Sequence, residues 1–295
     1  MATFLGINLF GLFGQLLVGL INGSFYALLS LGLAIIFGLL KIINFAQGAM
    51  YMLGAFGAWL ALNHLGINYW AALVLVPLAV GAIGILLERV LVRPIAHEDH
   101  LYSLLLTFGI ALMLQGLFTH LFGSSGMPYA IPDELKGGTR LPFMYLPDYR
   151  AWIIVASAVV CGGTWWMIEK TRLGAYLRAG TENPQLMQAF GINVPLMVTL
   201  TFGFGVALAG FAGVMAAPVY SVSPEMGSNL LIVVFAIVVI GGMGSIGGAI
   251  LTGLGMGIVE GLTKYFYPEA STTVIFLVMV IVLLLKPAGL FGKEA

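Results

Sequence analysis

From Ala2 to Leu40 the chain carries no Lys, Arg, Asp or Glu. A water-soluble domain has no place for such a stretch, whereas about 20 consecutive apolar residues suffice to cross the ~30 Å hydrocarbon core of a bilayer. Apolar runs fall near residues 12–37, 48–64, 69–87, 101–122, 151–168, 196–217, 229–241, 249–266 and 271–286. They predict eight to ten crossings. As one straight helix the opening stretch would reach roughly 58 Å at 1.5 Å per residue, about twice the core. It is therefore expected to tilt, break or form two pieces.

The composition agrees. Of 295 residues 60% are hydrophobic and 8% charged, with a mean hydropathy of +1.05, against about 45–50% and 25% in soluble domains. The expected fold is an all-α polytopic membrane protein, with broken or half helices, in which residues 1–295 form one transmembrane domain. The 40 glycines are scattered through the apolar runs, as suits helices that pack closely in lipid. A net charge of zero and the lack of a basic cluster leave no electrostatic footprint for nucleic acid. Cys161 is alone, which excludes an intrachain disulfide or a cysteine metal site. No basic segment precedes the first apolar run, so that run is expected to stay as a membrane segment.

Counting crossings in alternation gathers Lys41, Arg89, Arg93, Lys170, Arg172, Arg178, Lys286 and Lys293 on one side and Lys136, Arg140, Arg150 and Lys264 on the other. The side richer in Lys and Arg is expected to be cytoplasmic. This predicts an outside N-terminus and an inside C-terminus. It also makes 170–195 a cytoplasmic loop and 123–150 an external one. The external loop is rich in turn formers and is expected to be ordered, with a short hairpin; it reads equally as a partner surface and as a solvated connection.

Two segments echo one another. INFAQGAMYMLGAFGAW (43–59) and SVSPEMGSNLLIVVFAIVV (221–239) each set a short polar, glycine-containing break before an apolar helix. Internal pseudo-repeats with interrupted helices are a transporter plan, and such breaks tend to border the substrate path. Uncharged polar residues collect there and on the first stretch: Asn22, Ser24, Tyr26, Asn44, Gln47, Ser223, Ser228 and Asn229. They read either as the lining of a path, with helix starts receiving a carboxylate in transit, or as hydrogen bonds between helices.

Catalytic motifs are missing or out of context. Gly242, Gly244 and Gly247 satisfy G-x-G-x-x-G after the run 230–240, with Glu260 further on, but the alternating strands and helices of a dinucleotide fold are absent. A tight intramembrane turn or close packing is the better reading. No G-x-x-x-x-G-K-[ST] occurs, so the chain has no P-loop. His64, His97, His100 and His120 are scattered and join no Ser, His and Asp set. Glu260 is an ionisable residue inside a span, a functional suspect by default; Lys264 four residues later favours a structural pair.

The most telling polar island is TRLGAYLRAGTENPQLMQAFGIN, 171–193. Asn183 is expected to cap a helix that Pro184 starts and Gly191 ends. Two turns are too few to stand alone in water. With Leu186, Met187, Ala189 and Phe190 on its surface, the segment predicts a groove on another protein; the alternative is packing on this chain's own loops.

GLINGSFYALLSLGLAIIFGLLKIINFAQGAMYMLGAF (19–56), RLGAYLRAGTENPQLMQAFGIN (172–193), LAGFAGVMAAP (208–218) and VVIGGMGSIGGAILTGLGMGIVEG (238–261) together resemble the LivH-type permeases, membrane subunits of bacterial ABC importers for branched-chain amino acids. The resemblance covers nearly the whole chain. It implies a non-catalytic subunit of the inner membrane that pairs with a LivM-like permease. Two cytoplasmic LivG/LivF-like ATPases would use the ATP and Mg, none of it bound by this chain, and a periplasmic binding protein would deliver substrate. The resemblance makes 184–190 the ATPase-coupling helix, with Arg178, Glu182, Pro184, Leu186, Met187, Ala189, Phe190 and Gly191 as coupling residues. The match to the importer signature of Glu-Ala-Ala with a spaced glycine is imperfect, because Asn183 and Pro184 follow Glu182. The rival reading is a secondary transporter or channel that works without ATPases.

Overall fold

The computed structural model describes residues 3–4, 7–40, 42–95, 99–142 and 144–292. Lys41, His97 and Lys293, which the sequence reading used, lie outside the described residues. The described chain is almost entirely helical: α1 (Leu9–Leu40), α2 (Gln47–Leu65), α3 (Tyr69–Leu87), α4 (His100–Phe122), α5 (Asp148–Lys170), α6 (Arg172–Glu182), α7 (Pro184–Ala189), α8 (Val194–Ala216), α9 (Met226–Gly241), α10 (Ile246–Phe266) and α11 (Val274–Leu285). Each predicted apolar run is one of these helices. Among the described residues six, namely α1, α4, α5, α8, α10 and α3 with its extension to Ile95, are long and apolar enough to cross a membrane. At 16 and 12 residues, α9 and α11 reach only about 24 and 18 Å; these are the shortened helices the pattern implied.

The opening stretch stays in one piece. α1 runs unbroken for 32 residues, about 48 Å, which leaves tilt or projection beyond the ~30 Å core as the means of fitting it. Residues 42–46 are not helical, and α2 begins at Gln47. Helix starts expose unpaired N–H groups, and side chains meet them: Asn68, Asp99, Asn183, Asn193 and Ser245 each accept a backbone N–H in the first turn of the helix that follows.

The chain divides into two compact units. One comprises 1–30, 130–161 and 233–295; the other comprises 31–129 and 162–232. In the first, Gly19 and Gly23 of α1 meet Gly253, Gly257 and Gly261 of α10 backbone to backbone, a close approach that any side chain would block. The expected hairpin is present as Gly138–Arg140 paired with Tyr145–Pro147. Lys136 pairs with Asp133 on the approach to it and holds that carboxyl below its usual range, so this end of the loop keeps its charge.

The G-x-G-x-x-G segment also lies in the first unit. The run before it is helix α9, not a strand, so the dinucleotide reading fails on backbone conformation. Gly242 and Gly244 both have φ of +97°, and the turn they make joins α9 to α10. The C-terminal tail grips it, with Leu290 N donating to the Ile240 carbonyl at 2.8 Å and Gly289 packed on Gly242.

In the second unit α8 is the central element. It packs most extensively on α3 and then on α2. Gly213 sits against the Tyr51 carbonyl and the Gly54 Cα, and Gly210 against Gly54. α2 buries residues around its whole circumference, including Tyr51, Met50 and Phe56. α4 does the opposite: Leu105, Leu112, Met113 and Leu121 all lie exposed, Met113 at 76%. Such a surface is stable only against lipid or another chain.

Candidate functional site

The 171–193 island folds as two short helices after a one-residue link from α5. In α6 the residues Gly174, Leu177 and Gly180 are buried while Leu173 and Tyr176 lie outside, a helical face that the sequence reading had not assigned. A Cβ on Gly174 would run into the Ile168 carbonyl, so only glycine fits where α6 turns back on the end of α5. Arg178 reaches Glu169 at 3.6 Å; both ends are exposed, so this contact orients α6 and adds little stability.

α7 begins and ends as its residues dictate. Asn183 Oδ1 accepts Leu186 N at 3.0 Å, and Pro184 occupies the first turn. The helix stops at Ala189, one residue earlier than expected, with Phe190 as its cap and Gly191 at a φ of +81°. No α7 residue is buried: Leu186 is 53% and the capping Phe190 74% exposed, and Glu182, Pro184, Ala189 and Gly191 are exposed as well. Only Met187 is half-buried.

The chain leaves this segment through a capped start of α8, where Asn193 Oδ1 accepts Leu196 N. Six residues on, an ionic cluster around a buried carboxylate appears that the sequence reading missed. Glu88 opens the π-helical turn Glu88–Val92 at the end of α3, and its side chain is only 2% exposed. Arg93 donates Nε to Oε1 and Nη2 to Oε2, each at 3.1 Å. Thr199 Oγ1 donates to Oε2 at 2.8 Å. Arg93 Nη2 also reaches the Pro195 carbonyl at 3.1 Å and contacts Thr199 Oγ1. The available signal was an acid ending an apolar span with Arg five residues on; here the pair closes across a π turn, a rare local conformation that is not readable in advance.

The eight predicted path residues fall into two groups. Asn22 and Tyr26 of α1 both point to Glu260, at 3.5 and 2.7 Å, while Ser24 donates to the Leu20 carbonyl of its own helix. Lys264 Nζ reaches Glu260 Oε1 at 2.8 Å, the expected pair, now with two further donors on the carboxylate. Replacing Lys264 with Met leaves that carboxylate without a counter-charge. Thermal unfolding in detergent is expected to show a loss of about 3 kcal/mol, the low end for a buried pair because Lys264 is partly exposed. Adding Glu260→Gln should recover most of it; an unchanged Lys264→Met protein would mean that the pair bears no weight.

The second group surrounds the two helix starts. Asn44 Oδ1 accepts Ala46 N at 3.0 Å, and its Nδ2 donates to Gln47 Oε1 at 3.4 Å. Gln47 Nε2 donates to the Gly205 carbonyl of α8 at 3.0 Å. Ser223 lies half-buried before α9; Ser228 and Asn229 are exposed on its first turns. The two breaks meet: Gly48 of α2 and Gly227 of α9 touch through backbone atoms. Beside them opens a cleft of about 200 Å³, lined chiefly by Phe45, Met52, Phe108, Leu112 and Leu231, with Gln115 and Ser228 as polar edges.

This architecture defines a polytopic helical membrane protein with an outward-facing short helix and two interrupted helices that meet. Residues 15–283 match the model of the family described as "Branched-chain amino acid transport system / permease component". The chain is 32% identical to the high-affinity branched-chain amino acid transport system permease protein BraD of Pseudomonas aeruginosa, over 95% of both chains. It is also 32% identical to LivH of Escherichia coli K12, over 95% of both. With the permease protein LivM of the same organism it shares 28% identity over 90% of this chain and 67% of LivM. No solved structure matches. The chain belongs to the family of branched-chain amino acid transport permease components.

Proposed function

We propose that this chain is the membrane-spanning permease subunit of an ATP-binding-cassette importer. On this reading it forms one transmembrane permease domain of the bacterial inner membrane, with its N-terminus periplasmic and its C-terminus cytoplasmic. The substrate is a branched-chain amino acid or a related small amino or carboxylic acid. The observation that carries the proposal is α7, a short helix with no buried residue and with Leu186 exposed, in a chain whose relatives along nearly their full length are named transport permeases.

The partners are a second permease of LivM type, two cytoplasmic ATPases and a periplasmic binding protein. The resemblance to both LivH and LivM supports the permease pair, since a closed dimer of related folds repeats the same contacts. ATP-driven approach of the ATPases displaces α7 in each permease and rocks the attached spans, giving alternating access. The chain itself makes and breaks no bonds; ATP and Mg are used by the ATPases. In the second unit the path follows Asn44, Gln47, Ser223, Ser228 and Asn229, and in the first unit Asn22, Ser24 and Tyr26 are its proposed lining. The apolar cleft beside Gly48 and Gly227 suits an aliphatic side chain, and the N-termini of α2 and α9 suit a carboxylate.

Reconstitution in proteoliposomes tests the proposal. Uptake of labelled leucine is expected only when the second permease, the ATPases, the binding protein and ATP are all present. Uptake by this chain alone would establish the rival reading, a secondary transporter or channel.

A further inference from the structure

The Glu88, Arg93 and Thr199 cluster lies where the coupling segment joins the membrane body. Only Phe190 to Asn193 separate α7 from α8, and both α6 and α7 pack on α8. Pro195 and Thr199 belong to the first two turns of α8, and Glu88 and Arg93 follow α3 directly. Beyond the cluster α3 and α8 run together at close quarters: Gly81 meets Gly203 and Ala207, Gly84 meets Val206, and Gly210 meets Val80. Interiors packed this tightly shift as bodies and do not deform continuously.

The chemistry of the cluster is directional. The Thr199 hydroxyl has one proton and takes an N–H from Arg93; the Glu88 carboxylate at 2.8 Å and the Pro195 carbonyl at 2.9 Å both stand within its reach, and the charged carboxylate is the stronger acceptor. The guanidinium fork holds both carboxylate oxygens and still reaches the α8 backbone at Pro195. These bonds converge on the start of α8, and displacing it breaks several of them at once. Arg93 is 41% exposed, so the pair adds less to stability than a fully buried one. What it supplies is a fixed geometry between two helix ends.

We infer that Glu88, Arg93 and Thr199 are positioning residues that form the joint through which movement of α7 reaches the paired spans α3 and α8. The inference rests on α7 being the ATPase-facing helix. Without the joint, the start of α8 moves with α7 while α3 lags, and hydrolysis no longer drives the paired spans.

The test uses the complete importer in proteoliposomes, with ATPase association, ATP hydrolysis and leucine uptake measured side by side. Thr199→Val preserves shape and removes the hydrogen bonds. It is expected to retain bound ATPases and hydrolysis while uptake per ATP falls at least fivefold, and Thr199→Ser is expected to restore the ratio. Glu88→Gln and Arg93→Lys should lower it in the same direction. An unchanged ratio in Thr199→Val and Glu88→Gln overturns the joint while leaving the α7 assignment intact, because ATPase association is read separately. Loss of membrane accumulation in both variants also overturns it, since that marks a purely structural role. If the wild-type permease fails to bind the ATPases, the α7 reading itself falls.

Discussion

Replacing Leu186 and Phe190 together by Asp is expected to abolish ATPase association and uptake while the permease still accumulates in the membrane. Both side chains are largely exposed, and no residue of α7 is buried, so the exchange should change the stability of the isolated chain by no more than about 0.5 kcal/mol. In a partner's groove the account reverses. Each apolar side chain contributes about 1.5–3 kcal/mol when fully buried, and two carboxylates would have to be desolvated in its place. At 1.4 kcal/mol for each tenfold change in affinity, a loss of at least about a hundredfold follows. Pull-down of the ATPases with detergent-solubilised permease, alongside leucine uptake, measures it. Survival of both would show that α7 is not the coupling helix.

Gly213→Val is expected to prevent stable accumulation of the protein, the largest effect of any single substitution considered. A Cβ at this position would overlap the Tyr51 carbonyl and press on Ala55 N and the Gly54 Cα, all backbone atoms of α2. A flexible side chain would yield, but here two helices would have to separate. Overpacking generally costs about 1–3 kcal/mol and occasionally more. Here that cost falls on the α2 and α8 contact at the centre of its unit, which also carries the Gln47 to Gly205 hydrogen bond. Gly255→Val, on α10 with open space around its Cα, is the control expected to accumulate normally. Equal accumulation of the two variants would refute the packing argument.

The two substitutions differ in how readily they could be foreseen. Leu186 and Phe190 stand out in the sequence because cap, proline start and glycine stop are local features written within a dozen residues. Gly213 is one of 40 glycines, and nothing near it marks it as the one against Tyr51. The same contrast separates the two ionic clusters. Glu260 and Lys264 are four residues apart on one helix and are legible as a pair. The hydrogen bond from Tyr26 spans 234 positions, and that from Thr199 to Glu88 spans 111. Arg93 showed itself only as a positive charge at a span end.

The polar residues proposed to line a path are a further case. Asn22, Tyr26, Asn44 and Gln47 are recognisable as polar groups in apolar surroundings, and each finds a hydrogen-bond partner between or within helices. Composition cannot say which partner, because any donor in lipid seeks the nearest acceptor and the nearest one is set by helix packing. The approach of Gly48 to Gly227 likewise joins two breaks that are about 180 positions apart and similar only in pattern.

Sequence alone determined the membrane class, the nine apolar helices, the polar breaks and the short exposed helix that Pro184 starts, because a bilayer demands contiguous apolar runs and helix ends obey local rules. Tertiary structure decided whether the opening stretch stays whole, which glycines touch and where the buried charges pair. Those outcomes depend on which helix faces lie together, a property that emerges only when the whole set packs in three dimensions.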